Sequence, residues 1–98
     1  VFLRRSPKTD ASSFDKAMLE LNDVVRRIPG CSGFRAGPNR DYESKTPDYP
    51  YGFTLDAVDA EALATYAVDP EHQALGAQLV ELCEGGADGI LVFDIDAV

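Results

Sequence analysis

The chain carries a single histidine, His72, and a tyrosine six positions before it, Tyr66. Between them stands Asp69-Pro70-Glu71: an Asp fit to cap a helix, a Pro suited to the first helical position, and an acid for the first turn. Tyr66 therefore closes one short helix, and His72 sits in the first turn of the next. If the chain turns at Asp69, a phenol and an imidazole converge. Such a pair can take a proton from the carbon beside a carbonyl and hold the resulting enolate by a hydrogen bond. The amides of a helix N-terminus disfavour an imidazolium, whereas Asp69 and Glu71 favour it, so its charge stays open. So does the role of the pair. The same two side chains could bond each other, or the backbone, and only seal the helix junction.

Other residue types offer less. Cys31 and Cys83 are too few for a disulfide framework, lie among apolar residues and have no His at ligand spacing, so both read as buried free thiols. Gly85-Gly86-Ala87-Asp88-Gly89 follows a helix and precedes a strand, the reverse of a phosphate cradle. Asp94 and Asp96 share one strand face but lack a His partner, so they read as solvent-facing acids. No metal and no cofactor are expected.

Positioning these residues falls to one domain, 1–98, because 98 residues cannot form two. The net charge of −8 argues against nucleic-acid binding. That charge is unevenly spread. Residues 1–45 hold all nine Lys and Arg with six acids, and residues 46–98 hold eleven acids and no Lys or Arg. The two halves either face each other, within or between chains, or form neighbouring surface patches. No apolar stretch is long enough to span a membrane or serve as a signal peptide, and free thiols make the cytoplasm the expected location. The sequence opens on Val1, which fits either a processed start or missing first residues.

Val1 to Arg5 reads as a short strand. From Ala11 to Ile28 the apolar residues Phe14, Met18, Leu21, Val25 and Ile28 step by three and four, which predicts a helix stopped by Pro29-Gly30. Ser32 to Gly37 reads as a second strand. Pro38 to Pro50 is polar and Pro-rich, and is expected to be the most mobile segment, bordering a cavity mouth. Tyr49, Tyr51, Phe53, Leu55 and Ala57 alternate as a strand does. Asp59 caps a short helix bearing Leu63 and Tyr66, and Asp69 starts another bearing His72, Leu75, Leu79 and Leu82, which Gly85-Gly86 ends. Ile90 to Phe93 is apolar on both sides and reads as a strand covered on both faces.

This order is a split βαβ arrangement of α+β class: a four-stranded antiparallel sheet with helices on one face. The other face, apolar on this reading, needs cover, and a second copy packed sheet to sheet supplies it.

Four segments then resemble the stress-responsive dimeric α/β-barrel family: Ile28 to Asn39, with its Ile-Pro-Gly helix stop; Tyr51-Gly52-Phe53-Thr54-Leu55; Tyr66 to Leu75, with Tyr, Pro and His; and Val92-Phe93-Asp94-Ile95-Asp96. The resemblance spans essentially the whole chain. It implies a ferredoxin-like protomer whose homodimer forms a barrel, with higher oligomers in some plant stress proteins. In at least one plant member it implies a polyketide cyclase using the Tyr and His of this motif. Many members carry a second His near the first strand, and this chain has none there.

The expected protein is thus a homodimer holding a small hydrophobic molecule in a cavity between sheet and helices. Tyr51, Phe53 and Leu75 would contact that molecule, and Tyr66 and His72 would perform cofactor-free cyclase, isomerase or lyase chemistry on a polyketide-like or aromatic substrate. The alternative is a non-catalytic stress-responsive protein whose asset is its assembly.

Overall fold

The computed structural model describes residues 1–97. Its elements run β1 (Phe2–Leu3), α1 (Ala11–Arg27), β2 (Cys31–Pro38), β3 (Tyr51–Ala57), α2 (Ala60–Val68), α3 (Pro70–Leu82) and β4 (Ile90–Leu91), with a 3-10 turn at Gly86–Gly89 before β4. The sheet order is β2-β3-β1-β4, and every pairing is antiparallel. This is the ferredoxin-like α+β fold expected from the sequence. Among the described residues no helix is long and apolar enough to cross a membrane.

The periodic stripe of α1 builds the core. Phe14, Met18, Leu21, Val25 and Ile28 are all buried, and Ala17 and Val24 widen the stripe to a full face. Asp10 caps the helix by accepting from the Ser12 amide, and Arg26 and Arg27 occupy the last turn, where a helix dipole favours cations. Gly30 follows at φ +85°, and a Cβ there would lie 2.9 Å from that of Ala62. Glycine thus lets the α1–β2 corner close onto α2.

Register fixes the faces of the sheet. The pairs Pro38 with Tyr51, Ala36 with Phe53, and Leu3 with Tyr51 point toward the helices. The pairs Gly37 with Gly52, Arg35 with Thr54, and Phe2 with Leu91 point away. The outer face of β3 is therefore Gly52, Thr54 and Asp56, more polar than the sequence reading supposed. Tyr51 and Phe53 of that strand pack inward.

The apolar surplus lies at the chain's end instead. β4 stops at Leu91 rather than Phe93, and residues 92–97 belong to no strand. Val92, Phe93 and Ile95 are 55%, 60% and 83% exposed. An apolar run of this kind says that a strand will be covered, but not by which chain.

The segment between β2 and β3 bonds to itself. Asn39 Nδ2 donates to Thr46 Oγ1 and to the Tyr49 carbonyl, both at 2.9 Å. Asp41 Oδ1 accepts from the amides of Lys45 and Thr46 at 2.8 and 3.0 Å and from Thr46 Oγ1 at 3.1 Å. These amide bonds hold the Asp41 carboxyl below its ordinary range.

Candidate functional site

Tyr66 occupies the last turn of α2 and His72 the first turn of α3. Asp69 belongs to both helices. Its backbone N–H bonds the Tyr66 carbonyl, closing α2, while its carboxylate accepts from the Glu71 and His72 amides at 3.0 and 3.1 Å, opening α3. Pro70 takes the first helical position. This shared corner brings the phenol and imidazole rings to 4.0 Å between centroids, 36° apart in plane.

A third side chain holds the corner, and the sequence did not announce it. Arg27, at the end of α1, grips the Asp69 carboxylate with two hydrogen bonds of 3.0 and 3.1 Å and reaches Glu71 at 3.6 Å. It holds the Asp69 carboxyl below its ordinary value, with the His72 amide bond acting in the same direction. Arg27 and Asp69 stand 42 positions apart, so only the fold of α1 against α3 reveals the clamp.

The two rings differ in environment. His72 is half-buried, and its Nδ1 lies 3.3 Å from the Ala67 carbonyl. A carbonyl only accepts, so that bond requires the proton on Nδ1, and in the neutral ring Nε2 is left as the free base. Tyr66 is 6% exposed, and its hydroxyl has no hydrogen-bond partner among the described residues. Burial, then the neighbouring Cys31, pushes the phenol up to about 12. The Cys31 thiol, itself pushed up by burial, lies 3.6 Å from the Ala62 carbonyl. At neutral pH Tyr66 is a proton-bearing donor rather than a base. Among the described residues no three His, Cys, Asp or Glu side chains converge as a metal would require.

The remaining candidates do not join this pair in one cavity. Leu75 is buried in the core. Tyr51 stacks on Phe14 at 5.6 Å and lines a cavity of about 420 Å³ between sheet and α1, with Arg5, Asp15 and Pro38. Phe53 packs on Phe34 at 5.6 Å and borders a second cavity of about 680 Å³. That second cavity lies on the outer face, over Phe2, Gly37 and Gly52, and is walled by the loop from Asn39 to Thr46. The loop does border a cavity mouth on the side of the sheet away from the helices, and its ends, Pro38 and Pro50, line the smaller cavity beside α1. Neither cavity is lined by Tyr66, His72 or Leu75.

The family described as Stress Responsive A/B Barrel Domain matches residues 1–97. No curated protein matches the sequence. Among solved structures, a dimeric ferredoxin-like protein of unknown function from a Jannaschia species is 43% identical, with a TM-score of 0.93 over 98% of this chain and 93% of that one. An Arabidopsis thaliana protein is 16% identical, with a TM-score of 0.74 over 85% and 81% of the two chains. A dimeric ferredoxin-like protein of unknown function from Thermobifida fusca is 15% identical, with a TM-score of 0.68 over 84% and 76%.

Proposed function

This chain belongs to the stress-responsive A/B barrel domain family, and from that premise we propose that it is a homodimer, its outer sheet faces stacked as a dimeric α/β barrel, which binds a small hydrophobic carbonyl compound at Tyr66 and His72 and moves a proton on it without a cofactor. The observation that carries the chemistry is the Tyr66 hydroxyl, buried and unpartnered. Such a group costs about 1–3 kcal/mol unless something bonds it, and a ligand oxygen would. His72 Nε2 takes a proton from the carbon beside the ligand carbonyl, and the electron pair moves onto oxygen. The neutral Tyr66 phenol donates to that enolate oxygen as its charge develops. The enolate carbon then attacks a second carbonyl, whose π pair moves to its oxygen and takes the imidazolium proton, or is itself reprotonated by the imidazolium, which gives cyclase-type or isomerase-type outcomes. Arg27 and Asp69 take no part in proton transfer; they fix the first turn of α3, and so the imidazole.

Accessible surface supports the homodimer. The chain exposes 6755 Å², whereas a compact monomer of this mass exposes about 5,500 Å². The excess of roughly 1,300 Å² exceeds the ~800 Å² that each partner buries in a standard interface. The Jannaschia relative is itself described as dimeric.

The second reading, a non-catalytic assembly protein, is favoured by one observation: neither cavity reaches the pair. One experiment separates the two. Wild type, Tyr66→Phe and His72→Ala are tested for binding to a panel of aromatic and polyketide-like carbonyl compounds, beside melting curves. Binding by wild type that both substitutions abolish, with melting preserved, supports the chemical reading. No binding by wild type, with His72→Ala clearly destabilised, leaves only the assembly.

A further inference from the structure

Three of the chain's nine Lys and Arg residues, Arg35, Arg40 and Lys45, line the 680 Å³ cavity on the outer face of the sheet. None of the three forms an ion pair among the described residues. Arg35 stands on β2, opposite Thr54. Arg40 and Lys45 come from the loop, which is folded by its own bonds. The Asp41 amide donates to Asn39 Oδ1 at 3.0 Å, and the Lys45 amide donates to Asp41 Oδ1 at 2.8 Å. Asp41 and Ser44 both take positive φ, so the backbone turns back on itself and brings Arg40 and Lys45 to one cavity. Two acids share the lining, but the Asp41 carboxylate is engaged by the loop's own amides, which leaves Glu43 against three cations. This local excess of positive charge sits in a chain whose net charge is −8.

The floor of the cavity is apolar and flat, formed by Phe2, Gly37 and Gly52. A Cβ on Gly52 would lie 2.8 Å from the Phe2 ring, so glycine there lets the ring lie on the floor. A Cβ on Gly37 would meet nothing within 4 Å, so the space above it is open. An apolar floor edged by cations without partners suits one kind of molecule, an apolar body that ends in a planar anion. A guanidinium fork matches a carboxylate with two parallel hydrogen bonds, and an ammonium adds a point charge. An inorganic anion would leave the floor in water, and an uncharged apolar molecule would leave the cations unanswered. We propose that this outer-face cavity binds an organic carboxylate, its charged end against Arg35, Arg40 and Lys45 and its apolar body on Phe2, Gly37 and Gly52. Small-molecule sites span about 300–1,000 Å³, and this cavity falls among them. It shares no lining residue with the Tyr66–His72 corner, so the inference does not rest on the catalytic reading. Every residue named belongs to one chain. In the homodimer proposed above, the site lies at the loop end of the stacked faces, where β2 passes into β3.

Titration calorimetry on the intact protein tests it with four probes: phenylbutyrate, its uncharged counterpart phenylbutanol, acetate and inorganic phosphate. Phenylbutyrate is expected to bind with a dissociation constant below about 1 mM. The other three should bind at least about tenfold more weakly, since each lacks either the charge or the apolar body. Arg35→Gln with Arg40→Gln should weaken phenylbutyrate at least about tenfold. Both positions are exposed, so this variant is expected to fold, and circular dichroism verifies that. Gly37→Leu puts a side chain into the open space over the floor and should weaken binding by about as much; it is informative even if the charge variant misfolds. Amide shifts in the nuclear magnetic resonance spectrum on adding phenylbutyrate should centre on Arg35, Gly37 and Gly52. No binding of phenylbutyrate, phenylbutanol or a small anion bound as tightly as phenylbutyrate, or wild-type affinity in either variant would overturn the proposal while leaving the catalytic reading standing. Shifts centred on residues 67–73 would also overturn it, by placing the carboxylate at the Tyr66–His72 corner instead.

Discussion

Two residues show opposite uses of a buried corner. Tyr66 holds an unbonded hydroxyl in the core, so removing that oxygen removes a penalty. Tyr66→Phe should melt at or above the wild-type temperature, by up to ~1–3 kcal/mol in stability, while abolishing any turnover; a lower melting temperature would mean that the hydroxyl has a partner in the free protein. Asp69 is the reverse, because every lone pair in use there holds structure. Its folded carboxyl lies below the ordinary value of 3.8, so its stabilising contribution is complete above the carboxylate range. That contribution drains away as pH falls through the unfolded and then the folded value. Arg27→Gln removes the largest cause of the shift. Its melting temperature should fall below wild type by at most about 4 °C at pH 7, because the pair is solvent-exposed, and the gap should narrow toward pH 3. A gap independent of pH would place the effect of Arg27 elsewhere. The cap itself was legible, since Asp-Pro-Glu is a local signal. The clamp was not, because nothing in a sequence pairs position 27 with position 69.

Among the elements, α1 was the most legible and β4 the least. Every residue of the α1 stripe is apolar at helical spacing, and all of them are buried; the pattern has one solution. Ile90 to Phe93 is apolar at every position, and such a run does not say what covers it, so Val92 and Phe93 were assigned to a strand that they do not join. The loop between β2 and β3 can be read in two ways. Its Pro and polar content suggested mobility, yet Asn39 and Asp41 are polar because they bond the loop's own backbone and side chains. The Lys45 and Thr46 amides should therefore exchange more slowly than those of residues 92–97 in the monomer, and Asp41→Ala should erase that protection. Equal exchange in the two segments would show the Asp41 bonds to be too weak to order the loop.

At the scale of the whole molecule, two phenylalanines of the sheet region differ in what they are expected to carry. Phe53 is 6% exposed and Phe93 60%. Phe53→Asp places an unpaired charge in the core, a loss of about 3–5 kcal/mol or more, and should leave the chain unfolded or aggregated. Phe93→Asp should leave a folded monomer. A Phe93→Asp protein that still sediments as a dimer would remove that residue from the interface.

β1 has a consequence for how such a chain is made. This two-residue strand sits between β3 and β4, and Leu3 pairs with both Tyr51 and Ile90. During synthesis from the N-terminal side, Leu3 must wait for both partners to leave the ribosome. At about 5–20 residues per second, the delay until position 90 is several seconds. The β2–β3 pair and the stripe of α1 can assemble in that time, but the centre of the sheet stays open, with two strand edges unpaired. A nascent chain halted before Ile90 should therefore be cut readily by protease near its beginning and become resistant only when the last strand has emerged.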